Sequence, residues 1–393
     1  MMIKTTMTGS WFRPPEIIEL LNPEKTPNGE ISEEYSSIIQ AAERRAIRDQ
    51  LHPLGSNKGL DWISNGEQRK AGYTFFIPNR FYGFSAKERV TMQFPASLVE
   101  EWMESNPSVL QLRQSAASFS VPKIESPLQY HGESLARKEA EEALKLAREE
   151  GLGQAQRLFV NTTSPGVITI FFPRSEAYHN HYDYLFGLAK ELRKEYQALL
   201  SVDGIDIQID APDLAMGKQT GSWGVDFYEA LPHHVDAINE AISGLPSERI
   251  RVHYCYGNWN GSHRFDADYR KVLEQVLRLK AGTIVGEMAN PRHQGDALIL
   301  ADYLKEHYWP KNMKLAAGAI DVKSPIVESA ETVAARLERL ARLDKIGPER
   351  LLGGTDCGFE TFASMGNVTY QVGLQKLKSL AEGAALLSER LNA

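Results

Sequence analysis

The stretch RVHYCYGNWNG, residues 251–261, runs apolar and β-branched up to a glycine and two asparagines. Such a run reads as a short strand, and the Gly/Asn cluster behind it as the turn that ends it. Side chains alternate along a strand with period two, so His253 and Cys255 share one face. The chain places one of its only two cysteines here.

The same unit recurs along the chain. TTMTGS (5–10), DWISNGE (61–67), RLFVNTTSP (157–165), IDIQIDAP (205–212), TIVGEM (283–288), LAAGAIDVK (315–323) and LLGGTDCG (351–358) each carry a short run into small or polar residues. With RVHYCYG (251–257) there are eight. Helical periodicity fills the spaces between, most plainly in YDYLFGLAKELRKEYQALL (182–200) and ETVAARLERLARL (331–343). Eight strand–helix units predict an α/β chain folded as a single (β/α)8 TIM-type barrel over residues 1–393.

One gap breaks the rhythm. Residues 85–156 hold more chain than one crossover needs, and contain the extended-looking SVPKIESPLQY and the charge-alternating ESLARKEAEEALKLAREEG. We expect an inserted hairpin and helix near the barrel mouth, after the second strand, rather than a second domain.

The net charge of −7 leaves no basic face for nucleic acid or anionic lipid, so small-molecule chemistry is expected. The N-terminal MMIKTTMTGSWFRPPE reaches polar residues and prolines before a signal-peptide core could form, and GVITIFF (166–172) is too short to span a membrane. A cytoplasmic protein follows as the expectation, with its two cysteines reduced.

In such a barrel the C-terminal strand ends converge on one face. His253, Cys255, Glu287 and Cys357 each close a run, and one imidazole, two thiols and a carboxylate make a tetrahedral donor set suited to Zn²⁺. A lone cysteine is usually an inert small hydrophobe. Here both sit in polar, glycine-flanked strand ends. Asp356 and Asn258 are placed to orient these ligands. Glu67 in NGEQR and Asp210 in QIDAP also close runs, and the turn at Gly9 and Ser10 offers backbone amides; together they complement the amine and acid of an amino acid. His179 and His181 in AYHNHYDY have metal-like spacing but no sulfur partners, and read as surface.

Read in order, TTMTGSW, SNGEQR, TSPGVITI, QIDAPDLA, HYCYGN and GTDCGFETF resemble the cobalamin-independent methionine synthases, in particular their catalytic C-terminal barrel and its short relatives. The resemblance implies zinc on His253, Cys255, Glu287 and Cys357, homocysteine held through its amine by Glu67 and Asp210, and its carboxylate at Gly9 and Ser10. The stretches HYCYGNWNGSH, GEMANPRH and GTDCGFETFA look closer still to a subgroup that includes epoxyalkane coenzyme M transferases.

Two departures bear on chemistry. FFPRSEAYHNH lacks the tryptophan that the family carries there for folate stacking, and DVKSP puts Lys323 where the family has a catalytic histidine. The methyl donor therefore stays open, with a methyl-carrier protein among its possible sources. The first reading is zinc-dependent methyl transfer to homocysteine, with Lys323 or His263 as proton donor and Asp210 in the machinery. The second is a carbon–sulfur bond-forming transferase acting on another thiol, which needs a cation such as Arg292 at the mouth. A third is a thiol-binding protein without turnover.

Overall fold

The computed structural model describes residues 2–22, 25–105, 118–221 and 223–393. All eight predicted runs become parallel strands of one sheet: β1 (Lys4–Thr5), β2 (Trp62–Ser64), β5 (Arg157–Thr163), β6 (Ile205–Asp210), β7 (Ile250–Tyr254), β8 (Thr283–Gly286), β9 (Lys314–Ile320) and β10 (Leu351–Thr355). Their order is β1-β10-β9-β8-β7-β6-β5-β2, and a parallel bridge between Thr6 and Trp62 joins the two ends. The sheet is a closed barrel.

The strands show why a period-two reading succeeds. In β6, Ile205, Ile207 and Ile209 join the apolar core, whereas Asp206 pairs with Arg157 and Asp210 takes hydrogen bonds from Asn161 and Gln208. In β7, Ile250, Val252 and Tyr254 belong to that core, while the Arg251 guanidinium lies over the rings of Phe159 and Trp62 at 4.0 and 5.6 Å. Polar residues thus occupy the alternate face of strands buried on both sides. His253 continues the Arg251 row toward the C-terminal end.

Long helices follow the strands, capped by side chains where the sequence supplies them. Asn180 accepts from Asp183 N at the start of His181–Leu200, and Ser329 accepts from Thr332 N at the start of Ala330–Ala341. Both helices match the predicted segments. Among the described residues no helix is long and apolar enough to cross a membrane.

The excursion differs in extent from the expected 85–156. It is an antiparallel hairpin of β3 (Phe81–Gln93) and β4 (Ser118–Tyr130) with a helix, Ala96–Ser105, between them; residues 106–117 of the expected span lie outside the described residues. The helix Glu133–Glu149 is not part of it. It packs on helices Ser36–Leu51 and His181–Leu200 as the outer-ring helix between β2 and β5. Its buried stripe, Ala136, Ala140, Ala143, Leu144 and Ala147, is mostly alanine, which hides an inward face among alternating charges.

Beside this junction Arg80 is fully buried and bridges Glu30, Glu139 and Glu195 at 2.5, 2.6 and 2.5 Å; Lys70 adds a 2.9 Å contact to Glu139. Removing the guanidinium takes the shared cation from three buried carboxylates and leaves Glu139 only its contact with Lys70 among these pairs. Arg80→Met should lower unfolding free energy by about 3–5 kcal/mol, read as a reduced urea midpoint, while the conservative Glu30→Gln should cost less.

Candidate metal and substrate site

β7 delivers His253 to the barrel mouth, and the chain beyond it delivers Cys255. The turn after β10 delivers Cys357. One ligand atom from each lies within 4.8 Å of the others, and all three residues are buried. His253 Nδ1 lies 3.2 Å from the Val285 carbonyl on β8, a contact that puts the ring proton on Nδ1. Its Nε2 is buried and, among the described residues, has no hydrogen-bond partner. A free imidazole lone pair among two buried, unlinked thiols is a donor set of the kind zinc takes. A hydrogen bond from Cys357, with His253 beside it, pulls the Cys255 thiol down to about 5 against its burial. The same hydrogen bond and burial push Cys357 up.

Glu287, expected as the fourth ligand, stands outside this cluster. It follows β8, is wholly buried, and accepts from Lys323 Nζ, from Asn290 Nδ2 and from the Tyr256 amide at 3.1 Å. Burial pushes its carboxyl up, but Lys323, with His293 and His263 nearby, holds it below the usual range. Burial likewise opposes the Lys323 charge, and Glu287 more than restores it. Lys323, expected as a proton donor, is instead committed to this ion pair and does not line the cavity beside the cysteines.

Asp356 does not touch the thiols either. Its Oδ1 accepts from Met288 N and Ala289 N at 2.8 and 2.7 Å, and its Oδ2 from Asn290 N at 2.8 Å, clamping the loop after Glu287. Burial and then Glu287 push its carboxyl up to about 7. Asn258 Nδ2 donates to the Gly358 carbonyl at 2.9 Å and ties the loop after β7 to that after β10. His263 has both ring nitrogens engaged, with Trp259 O at 2.9 Å and Asp266 Oδ1 at 3.2 Å. It is braced between them and does not line the cavity.

Arg292 is exposed, points its Nε at the His263 carbonyl, and does not line the cavity. The surface reading of AYHNHYDY holds for His179 but not His181. His181 opens its helix facing inward, stacks on Trp223 at 5.1 Å, and places Nε2 2.9 Å from His234 Nε2, whose Nδ1 meets Asp213.

The cavity over the His/Cys/Cys cluster has Thr8, Ser10, Glu67 and Asp210 at its polar end. Glu67 is 2% exposed, its Oε2 has no partner, and burial with the nearby Asp210 pushes it up to about 8. Asp210 is also pushed up by burial, and is held by Asn161 Nδ2 at 2.8 Å and Gln208 Nε2 at 2.7 Å. Gly9 has a φ of +73°, and a Cβ there would stand 2.2 Å from Asn161 Nδ2, so only glycine lets Asn161 reach Asp210. The amides of Thr8, Ser10 and Trp11 are spent within the protein. The Ser10 amide of the expected nest is committed to the Thr8 carbonyl, and among the described residues the buried Ser10 hydroxyl has no hydrogen-bond partner.

The remaining walls are apolar. Tyr73, Phe94, Phe171, Met216, Trp259 and Phe362 come from loops after different strands and from the excursion. Among the described residues no lysine or arginine lines this cavity.

Residues 163–378 match the model of the family "Cobalamin-independent synthase, Catalytic domain". The chain belongs to this family. It is 25% identical over 398 residues to a methionine synthase of Saccharolobus solfataricus, covering 99% of this chain and 96% of that one. It is 23% identical to a methionine synthase of Sulfolobus acidocaldarius, covering 99% and 94%. Among solved structures, a B12-independent methionine synthase from Shewanella sp. W3-18-1 in complex with selenomethionine aligns with a TM-score of 0.69 at 20% identity, covering 100% of this chain and 99% of that one. That likeness supports the barrel. The matched family segment holds Asp210, His253, Cys255, Glu287, Lys323 and Cys357, while Ser10 and Glu67 precede it.

Sequence reasoning missed Asn161 and Gln208, which hold Asp210, and the aromatic wall. Asn161 had a signal: it is a polar residue inside the apolar run RLFVNTTSP. The wall had none, because its rings come from loops far apart in the chain.

Two outcomes follow from this geometry. Gly9→Ala should displace Asn161 and weaken binding of an amino-acid ligand about tenfold or more, with metal content unchanged, as read by calorimetry and elemental analysis. An ammonium group prefers ionised Glu67, which carries a proton below about 8 in the free protein. Methionine affinity should therefore rise from pH 6 to 8.5, and Glu67→Gln should bind more weakly with a flat profile.

Proposed function

We propose that this protein is a zinc-dependent S-methyltransferase that makes methionine from homocysteine. The observation that carries the reading is a His/Cys/Cys cluster on the floor of a cavity whose polar end bears two buried carboxylates and, among the described residues, no lysine or arginine. An ammonium-bearing thiol fits that charge distribution. A sulfonate thiol does not, and Arg292 faces elsewhere, which disfavours the coenzyme M-type alternative.

His253, Cys255 and Cys357 are the residues that would hold the ion. Zinc there would replace the proton of an incoming thiol and deliver a nucleophilic sulfur at neutral pH. Glu67 and Asp210 receive the substrate amine, and the Ser10 hydroxyl meets its carboxylate. The aromatic walls from Tyr73 to Phe362 exclude water from the reacting sulfur. The donor, a small molecule or a methyl-carrying protein, presents its methyl group at this mouth. Two reduced thiols at the heart of the site suit a reducing compartment such as the cytoplasm.

Zinc-edge X-ray absorption tests the reading. The sulfur shell should grow from the two cysteines by about one atom when L-homocysteine is added. A zinc shell that homocysteine leaves unchanged would move the substrate to another thiol. Cys357→Ser should lose both zinc and activity, and unchanged metal content in that variant would remove Cys357 from the site.

A further inference from the structure

We propose that Arg13 is a positioning residue that fixes Glu67 over the cavity and leaves its carboxylate free for the substrate ammonium. The proposal rests on the amine-binding reading above and deepens it.

Glu67 stands in an unusual turn. Its φ is +57°, next to Gly66 at +73°, a left-handed conformation that a residue with a side chain seldom holds unaided. The backbone around it is pinned. Its N–H donates to Asn65 Oδ1 at 3.2 Å, and its carbonyl accepts from Lys70 N and from Arg13 Nη2, both at 3.1 Å. The other arm of the guanidinium, Nη1, donates to the Glu360 carbonyl at 2.7 Å, and the Arg13 amide donates to Glu360 Oε2 at 2.8 Å. One buried fork therefore ties the turn after β2 to the loop after β10, a planar bridge that the point charge of a lysine does not reproduce.

Arg13 does not line the cavity. Its Nη1 and Nη2 are spent on the two carbonyls, so it does not take up the Glu67 carboxylate, whose Oε2 has no hydrogen-bond partner among the described residues. Its charge still acts there. Burial and then Asp210 push the Glu67 carboxyl up, with Glu139 adding to them, while Arg13 and Lys70 pull it back. A carboxylate held in a direct salt bridge is ionised but occupied. One supported by a cation bound to its backbone ionises more readily and stays vacant for an ammonium group.

Calorimetry on the zinc-loaded full chain tests this with L-methionine and with γ-(methylthio)butyrate, which lacks the amine, in wild type, Arg13→Met and Arg13→Lys. In Arg13→Met the rise of methionine affinity with pH should move up by about one unit, which lowers affinity about tenfold at pH 7. Arg13→Lys keeps a cation without the fork, and should leave that midpoint in place while weakening methionine about threefold or more at each pH. Neither variant should weaken γ-(methylthio)butyrate. Equal losses for both ligands, or an unmoved midpoint in Arg13→Met, would reduce Arg13 to a general structural role and overturn the proposal. If Arg13→Met does not fold, Arg13→Lys decides: methionine bound as tightly as by wild type overturns it. Wild-type protein that binds methionine no better than γ-(methylthio)butyrate would instead overturn the amine-binding reading itself.

Discussion

Negative charge buried beneath the barrel mouth is the constraint around which this molecule is arranged. Glu67, Asp210, Glu287 and Asp356 are at most 5% exposed, and both cysteines stand among them. Each acid needs a partner, because an unpaired buried charge is costly. Glu287 has Lys323, and Asp356 has three amides. Glu67 feels Arg13 and Lys70 at a distance, yet keeps an oxygen without a hydrogen bond. Among the described residues the side-chain donors to Asp210 are the neutral amides of Asn161 and Gln208. The charge left uncompensated therefore falls at two places, the thiol pair and the Glu67–Asp210 pair. The first asks for a metal dication and the second for an ammonium group. In that sense the ligands are specified by what the protein leaves unpaired.

The scaffold makes that concentration of charge sustainable. Parallel strands buried on both faces send alternate residues to the barrel interior, and the polar ones collect toward the C-terminal ends, where backbone amides of the loops are available. Asp356 uses this directly: from the end of β10 it organises residues 288–290 behind β8, and so sets where Glu287 and Asn290 stand. Further down, Arg251 fills the interior among aromatic rings, donating to Thr6 Oγ1 and the Met7 carbonyl. The first strand, only Lys4–Thr5, is thereby fastened across the barrel, which places the Gly9–Ser10 turn over the cavity.

The excursion after β2 serves the same end. Phe94 closes part of the cavity wall, and the Ser262 hydroxyl donates to Glu101 Oε1 at 3.1 Å, joining the inserted helix to the loop after β7. Among the described residues the insertion supplies no charged group to the cavity. Its neighbour Arg80 anchors the base of the hairpin to two outer helices through Glu139 and Glu195 and to an earlier loop through Glu30.

The eight strands and the inward face of β7 were determined by the sequence alone, because period-two alternation and glycine-rich strand ends are local properties that survive without knowledge of neighbours. His253, Cys255, Cys357, Glu67 and Asp210 were legible for the same reason: each closes a run, and closed barrels bring run ends together. Tertiary structure alone decided the rest. That Glu287 pairs with Lys323 rather than joining the cysteines depends on β8 and the loop after β9 being adjacent at the mouth, which neither segment encodes by itself. That Glu133–Glu149 is an outer-ring helix depends on an alanine stripe whose value is steric fit, not hydropathy. The Ser10 hydroxyl lines the cavity without a partner among the described residues, while the Thr8 and Trp11 amides are taken by Thr355 Oγ1 and the Gly66 carbonyl, an allocation made only when the chain closes on itself.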